Sequence, residues 1–316
     1  MSRALLMRHG PNMDAVPALL TFTASEPPIG YYARTPTSGP ERTLVERCAA
    51  QISACGSQAA PLALFFEPAM TQGYPDLVVT YDPAHYAQWR LPRLQLERAD
   101  LRLIAFLQSQ ATVDLGAILA THCGERRPVL RRLLRLAEAG IIVEQNGAWR
   151  VVAPMDVLGV RHIQAIEAKM PAVPRLIEQA LHHSFYATET VLLLPHARLS
   201  LALTQAVERH GLGIWVQTPT ACQRVRDATP ASLRVSVESL RLNEWIGRRL
   251  VADGRVVPLP ALEVDAAAWC WPTTAMRSPS RFQQLCFGAS GTVDSPAMGG
   301  DSGVVAPGCL NDERRS

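Results

Sequence analysis

Apolar strand patterns alternate with amphipathic helix patterns through the second half of the chain, and this alternation constrains the fold more than any other feature. Strands are predicted at residues 160–170, 191–195 and 213–217, with helices between them at residues 173–189 and 197–211. The short connections favour parallel strands that are joined by right-handed crossovers through the helices. The sequence therefore predicts an α/β fold around a sheet.

The first half of the chain adds a helix and two strands to this sheet. The amphipathic helix begins near Gly39 and ends at Gly56. Two apolar strands follow at residues 62–70 and 75–83, and the connection between them is short enough to favour an antiparallel pair. Because both kinds of pairing are expected, the predicted sheet is mixed, with helices on its faces.

Residues 100–152 follow a different pattern, in which three short helices precede a hairpin. The helices fall between residues 100 and 141, and two short strands then meet at the turn formed by Asn146 and Gly147. Three helices followed by a hairpin is the order of a winged helix-turn-helix. We therefore predict such a module as an insertion between two strands of the sheet.

The third helix of this module carries arginines beside its apolar face. The net charge of the whole chain is only +3, which does not by itself indicate a nucleic-acid partner. The local density of arginine does predict DNA contact, while a solvated face or a surface for an acidic protein are the alternatives. The predicted buried face is Leu130, Leu133, Leu134 and Ala137. The predicted DNA-binding residues are Arg126, Arg127, Arg131, Arg132 and Arg135.

Two carboxylates and a lysine lie on strands that the predicted sheet places together. Asp76 is near the start of one strand, and Glu167 and Lys169 are two residues apart on another, so the pleat points these two to one face. Burying such charges costs free energy unless they are paired or bind a metal ion. This set of side chains suits a hard divalent cation beside a scissile phosphate. The simpler interpretations are a surface ion pair between Glu167 and Lys169, and turn chemistry at Asp76.

At these residues the sequence resembles the PD-(D/E)xK nuclease superfamily. The motifs are GPERTLVER in the first helix, GYPDLVV at the second strand and AIEAK at the third, and they are similar to those of the archaeal Holliday-junction resolvase branch. The resemblance covers residues 39–82 and about 155–217, and it leaves out the winged module and both ends of the chain. It implies a restriction-endonuclease-like mixed sheet flanked by helices, with the winged helix-turn-helix inserted.

The resemblance also implies roles for individual residues. Asp76 and Glu167 would bind Mg²⁺ or Mn²⁺, and the backbone carbonyl of Ala168 would add a ligand. Lys169 would position or activate the attacking water, and Glu41 would occupy the helix position that often supplies an extra carboxylate. Lys169 is also the only lysine in a chain with 31 Lys and Arg residues, which suggests a position where arginine cannot serve.

Four further residues lie on or near these elements. Gln179 matches the glutamine seen on the following helix in several branches of the family. Glu67 stays open as an alternative to Glu41 for the additional acid. His182 and His183 are predicted to be surface residues, because adjacent helical residues face about 100° apart.

The predicted organisation has four parts. Residues 1–38 form an irregular lead-in, residues 39–99 and 153–276 form the nuclease-like core, residues 100–152 form the winged insertion, and residues 277–316 form a disordered tail.

These features predict a metal-dependent DNA endonuclease whose winged module positions the DNA. The alternative is a DNA-binding regulator or assembly factor that keeps a nuclease-like fold without turnover. We expect a cytoplasmic protein with no membrane contact, because no apolar run is long enough for a span. The sequence leaves open whether the chain forms a homodimer. The seven cysteines contain no CxxC pair and are expected to be reduced thiols.

Overall fold

A computed structural model describes residues 19–23, 32, 34, 38–55, 61–71, 73–121, 125–170, 174–196 and 200–264. All of them belong to one unit of the chain. The predicted disordered tail lies outside the described residues, as does most of the predicted lead-in.

The described strands are β1 (Leu19–Phe22), β2 (Leu62–Phe65), β3 (Asp76–Tyr81), β4 (Val113–Asp114), β5 (Ile142–Gln145), β6 (Ala148–Val151), β7 (Val160–Ala168), β8 (Glu189–Leu194), β9 (Gly213–Gln217) and β10 (Cys222–Arg226). The described α-helices are α1 (Pro40–Cys55), α2 (Pro83–Tyr86), α3 (Arg98–Gln108), α4 (Leu115–Thr121), α5 (Arg126–Glu138), α6 (Pro154–Val157), α7 (Pro174–His183), α8 (Leu201–His210) and α9 (Val237–Ala252), and a 3-10 helix covers Leu91–Gln95.

Seven of these strands form one mixed sheet in the order β1–β2–β3–β7–β8–β9–β10. Strands β7, β8 and β9 are parallel, which agrees with the short helical crossovers between them. Strand β3 is antiparallel to both β2 and β7, and β10 is antiparallel to β9. The predicted mixed sheet flanked by helices is confirmed at this level.

Strand β1 corrects the prediction of an irregular lead-in for four of its residues. It pairs in parallel with β2 at the edge of the sheet, with Leu20 and Phe22 buried. The ring of Phe22 stacks on that of Phe65 with 4.2 Å between the centroids. The pairing partner is about forty residues away in sequence, so local patterns give little indication of this strand.

Helices cover both faces of the sheet because successive strand residues point to opposite sides. Helix α1 packs through Leu44, Val45 and Cys48 on one face, against strand residues such as Ile166 and Val191. Helices α7 and α8 cover the other face, where their apolar residues meet Leu192, Leu194, Ile214 and Val216. The sheet thus separates α1 from α7.

Residues 98–151 form three helices and a small sheet of order β4–β6–β5, with Asn146 and Gly147 at the hairpin turn. Their apolar residues share one core with the large sheet, since Leu133 and Trp149 belong to the same cluster as Leu77. The buried face of α5 is centred on Val129, Leu133, Leu136 and Ala137. Leu130 and Leu134, which we predict to be buried, are only partly covered.

Helix α9 joins this unit to the sheet. It packs against both α3 and β7, and its residues from Ser239 to Gly247 are buried throughout. Gly247 is required at its position, because a Cβ there would lie 1.9 Å from the ring of Trp89. In the part of the chain that the structure describes, no helix combines the length and apolar character needed to cross a membrane.

Candidate functional site

The candidate site lies where β3 begins and β7 ends. Asp76 is the first residue of β3 and pairs with Ile166 of β7, so its side chain belongs to the α1 face of the sheet. Glu167 follows Ile166 and belongs to the opposite face. Both line a cavity of about 220 Å³ with Glu41 and Lys169. They come together because each lies at the end of its strand.

Lys169 contacts acids from both faces of the sheet at this end of β3 and β7. Its Nζ atom is 3.2 Å from Oε2 of Glu41, which lies in the first turn of α1, and 3.4 Å from Oε1 of Glu167. The backbone N–H of Met170 donates to the other oxygen of Glu41 at 3.4 Å. Partial burial opposes the charged form, but the Glu167 and Glu41 carboxylates raise the pKa of Lys169 above its ordinary value. Lys169 is therefore held as a cation between two acids.

Asp76 is held by the backbone of Glu67. The N–H of Glu67 donates to Oδ1 of Asp76 at 3.2 Å, and Glu67 has a φ of 43°, in the left-handed region that non-glycine residues rarely adopt. Burial and the carboxylates of Glu67 and Glu167 raise the pKa of Asp76 to about 7, while the Glu67 N–H and Lys169 act in the opposite direction. Positive charge in the cavity would favour the ionised form of Asp76.

His183 corrects the prediction of two surface histidines. It is 2% exposed, and its Nε2 atom lies 3.1 Å from Oε2 of Glu167. The hydroxyl of Tyr186 lies 3.1 Å from Nδ1 of the same ring. His183 comes four residues after Gln179, so the two share a face of α7, and this spacing is the sequence signal that could have placed His183 in the site. No motif in the sequence points to Tyr186.

A second cavity of about 720 Å³ adjoins the first and shares Glu41, Glu167 and Lys169 with it. Gln179 is an exposed residue of α7 that lines this larger cavity, as does the partly buried His182. Arg34 and Tyr74 also line it, with the guanidinium of Arg34 5.8 Å from the centre of the Tyr74 ring. The two cavities together form a polar cleft, named here the acidic cleft.

The acidic cleft contains all the residues that the sequence proposes for catalysis and metal binding. Both candidates for the additional acid, Glu41 and Glu67, line it, so the structure does not separate them. Among the described residues no group of three or more His, Cys, Asp or Glu side chains is arranged to hold a metal ion. The donors that do line the smaller cavity, Asp76, Glu167 and Ala168, offer the oxygen atoms that Mg²⁺ and Mn²⁺ prefer, so this set fits such an ion.

The arginines of α5 divide into two groups. Arg126, Arg127 and Arg131 are exposed, and Arg132 is partly exposed. Arg135 has a different environment, because its guanidinium lies 2.8 Å from a carboxylate oxygen of Asp100 on α3. The Asp100 side chain is completely buried. Arg135 therefore links α5 to α3, a contact that the sequence does not predict for the arginine row.

No family model, curated protein or solved structure matches the chain.

Proposed function

We propose that this chain is a metal-dependent DNA endonuclease that hydrolyses phosphodiester bonds. The observation that carries the proposal is the convergence of Asp76, Glu167 and Lys169 in one cleft from two antiparallel strands. Two acids and a cation at this position suit the binding of a divalent ion and a phosphate group.

The order of elements supports a restriction-endonuclease-like assignment for the sheet. Helix α1, the antiparallel strands β2, β3 and β7, and then α7 follow one another as the PD-(D/E)xK resemblance requires. Helices α3, α4 and α5 with the β5–β6 hairpin follow the order of a winged helix-turn-helix. We assign these residues as the winged module.

Asp76, Glu167 and the Ala168 carbonyl are the residues that would hold Mg²⁺ or Mn²⁺. A bound ion of this kind supplies positive charge that stabilises the phosphate oxygens and lowers the pKa of water. Asp76 is oriented by the backbone N–H of Glu67. Burial of these carboxylates beside apolar residues such as Ile166 strengthens their interaction with a cation.

Lys169 acts in this proposal as a positioned positive charge. Glu41 and Glu167 hold its ammonium group, and all three residues line both cavities. An ammonium held by two acids does not accept a proton, so its task is to bind a phosphate oxygen and orient the attacking water. Gln179 extends the polar wall on the α7 side, where its amide can contact the sugar-phosphate backbone.

DNA would reach the cleft through phosphate contacts on α5. Arg126, Arg127, Arg131 and Arg132 face outward on one helix and provide the charge for such contacts. Arg135 is left out of this set because Asp100 binds its guanidinium.

Nicking of supercoiled plasmid DNA tests the proposal. We expect cleavage by the parent protein with Mg²⁺ or Mn²⁺ and none with EDTA. Asp76→Asn and Glu167→Gln should lose cleavage because each removes a charged oxygen ligand. Lys169→Arg should fold and bind DNA but lose most cleavage, because a guanidinium is longer and planar and would displace the water or the phosphate. Glu208→Gln, an exposed residue of α8, is the matched control and should cleave like the parent.

Two outcomes contradict this reasoning. Absence of metal-dependent cleavage by the parent on supercoiled, linear, single-stranded and branched DNA would overturn the endonuclease proposal. Cleavage by Lys169→Arg at the parental rate would leave the proposal standing and remove the role given to Lys169.

A second candidate function is a DNA-binding regulator without turnover. It is favoured by the position of the α5 arginines on an element that contributes nothing to the lining of the acidic cleft. Salt-dependent DNA binding by a parent protein that does not cleave under any metal condition would establish this candidate.

A further inference from the structure

A buried polar chain contacts Glu167 from helix α7, and its first member, His183, also lines the larger cavity of the acidic cleft. It consists of His183 in the last turn of α7 and Tyr186 just after that helix, which are 2% and 6% exposed. Distances of 3.1 Å join Glu167 Oε2 to His183 Nε2, and His183 Nδ1 to the Tyr186 hydroxyl. Neither residue belongs to the catalytic set proposed above.

The hydrogen bond between His183 and Glu167 has one direction. A carboxylate can only accept, so the Nε2–H of His183 donates to Glu167. The second ring nitrogen, Nδ1, contacts the Tyr186 hydroxyl, which donates to a neutral imidazole and accepts from an imidazolium. Burial, with Glu238 and Glu167 nearby, raises the pKa of Tyr186 above its usual range, so this hydroxyl retains its proton. The contact with Tyr186 thus fixes the ring orientation of His183.

This arrangement gives the two oxygens of Glu167 different partners. Oε2 is bound by His183, whereas Oε1 lies 3.4 Å from the ammonium of Lys169, which lines both cavities. Glu167 is itself only 12% exposed, so it has little water to replace these contacts. The carboxylate is therefore fixed by two different partners, with Oε1 beside the Lys169 ammonium and Oε2 against the His183 ring.

We propose that His183, oriented by Tyr186, is a positioning residue that directs Oε1 of Glu167 into the acidic cleft as a one-oxygen ligand. The inference rests on the proposed metal-dependent function. Without His183 the carboxylate can rotate and lose the orientation that a cation would require. Partners of metal ligands typically contribute 10–100-fold to metal affinity, so we expect a loss of about this size.

Mn²⁺ binding to the full chain, measured by calorimetry in the absence of DNA, tests the inference. His183→Ala should weaken Mn²⁺ binding by about 10–100-fold. His183→Gln should restore part of the affinity, since its side-chain amide can donate to Glu167 from the place of Nε2. Tyr186→Phe should have a smaller effect, because the imidazole keeps its contact with Glu167 but loses the hydroxyl that fixes its ring orientation.

His162→Ala is the matched control. His162 lies on the same strand as Glu167 and also contacts a glutamate, with its Nε2 atom 3.5 Å from Oε1 of Glu189, but it does not line the cleft. Its removal should leave Mn²⁺ affinity unchanged. Far-ultraviolet circular dichroism and thermal melting of each variant show whether it is folded. If His183→Ala does not fold, the Mn²⁺ affinities of His183→Gln and Tyr186→Phe test the positioning role.

The possible results separate this inference from the proposed function. Graded loss in His183→Ala, partial recovery in His183→Gln and parental affinity in His162→Ala would support it. Parental affinity in folded His183→Ala, or equal loss in His183→Ala and His183→Gln, would overturn the positioning role while the metal-dependent function stands. Absence of Mn²⁺ binding by the parent protein would overturn both.

Discussion

We predict that Arg135→Ala destabilises the fold, although Arg135 belongs by sequence to the arginine row of α5. One of its guanidinium nitrogens lies 2.8 Å and 3.0 Å from the two oxygens of Asp100. Asp100 is completely buried, and its other partner is the backbone N–H of Glu97 at 2.7 Å. The substitution would leave a buried carboxylate without its counter-ion.

The size of the effect follows from the burial of the two partners. Loss of one member of a fully buried ion pair costs about 3–5 kcal/mol. The Arg135 side chain is 25% exposed and the Glu97 N–H remains, so we expect a smaller loss of about 2–3 kcal/mol. For a chain of this size, that loss lowers the melting temperature by about 3–5 °C.

Urea unfolding followed by tryptophan fluorescence measures this loss, with Arg131→Ala as the matched control. Arg131 is exposed on the same helix, so its removal should change stability by less than about 0.5 kcal/mol. Asp100→Asn combined with Arg135→Ala should recover at least about 1 kcal/mol, because it removes the uncompensated charge and keeps an oxygen for the Glu97 N–H. Equal stability of the Arg135→Ala and Arg131→Ala proteins would refute the structural role and return Arg135 to the DNA-binding set.

Three further predictions concern other parts of the chain. Replacing Arg127 and Arg131 with alanine should weaken DNA binding and lower the slope of log affinity against log salt by about 2. Diamide, which accepts the two thiol hydrogens, should join Cys48 to Cys222, whose sulfur atoms are 3.4 Å apart, and peptide mass spectrometry would detect the link. Burial, with Arg93 and Arg161 nearby, lowers the pKa of His85 from 6.5 to about 3. As the pH falls below 6.5, the unfolded chain therefore binds this proton before the folded chain does. The free energy of unfolding should then fall by up to about 1.4 kcal/mol for each pH unit down to about pH 3, and by less in His85→Asn.

Each of these has a result that contradicts it. An unchanged salt slope, with Arg102→Ala as a control on α3, would remove DNA contact from α5. A Cys222→Ser protein that still forms a link to Cys48 would show that the oxidation is not specific to this pair. Parallel stability curves for the parent and His85→Asn between pH 7 and about pH 4 would refute the buried neutral histidine.

The sequence predicts elements best where the pattern is local. The β7–α7–β8–α8–β9 run follows from strand and helix periods within about sixty residues, and the structure has these elements in this order. Strand β1 has only four residues, and its stability comes from pairing with a distant strand. The same distinction explains α5, where contact with the rest of the core selects Val129 instead of Leu130 for full burial.

The candidate site was predictable as a set of residue types and less so as a set of contacts. The spacing of Glu167 and Lys169 correctly places them together, with 3.4 Å between their charged atoms. The contact between Glu167 and His183 depends on how α7 lies against the sheet, which no local spacing specifies. Likewise, the attachment of Arg135 to Asp100 joins residues 35 apart, so the arginine row looks uniform in sequence although its members differ in the fold.

The core shared by the large sheet and residues 98–151 has a consequence for where such a protein would cut. Trp89, Trp149 and Trp245 belong to one apolar cluster that runs from the sheet into the three-helix unit, so α5 and the acidic cleft are parts of one packed body. Under the proposed function, this body acts as a molecular ruler. DNA held on α5 would be cleaved at a constant number of nucleotides from the segment that the helix contacts.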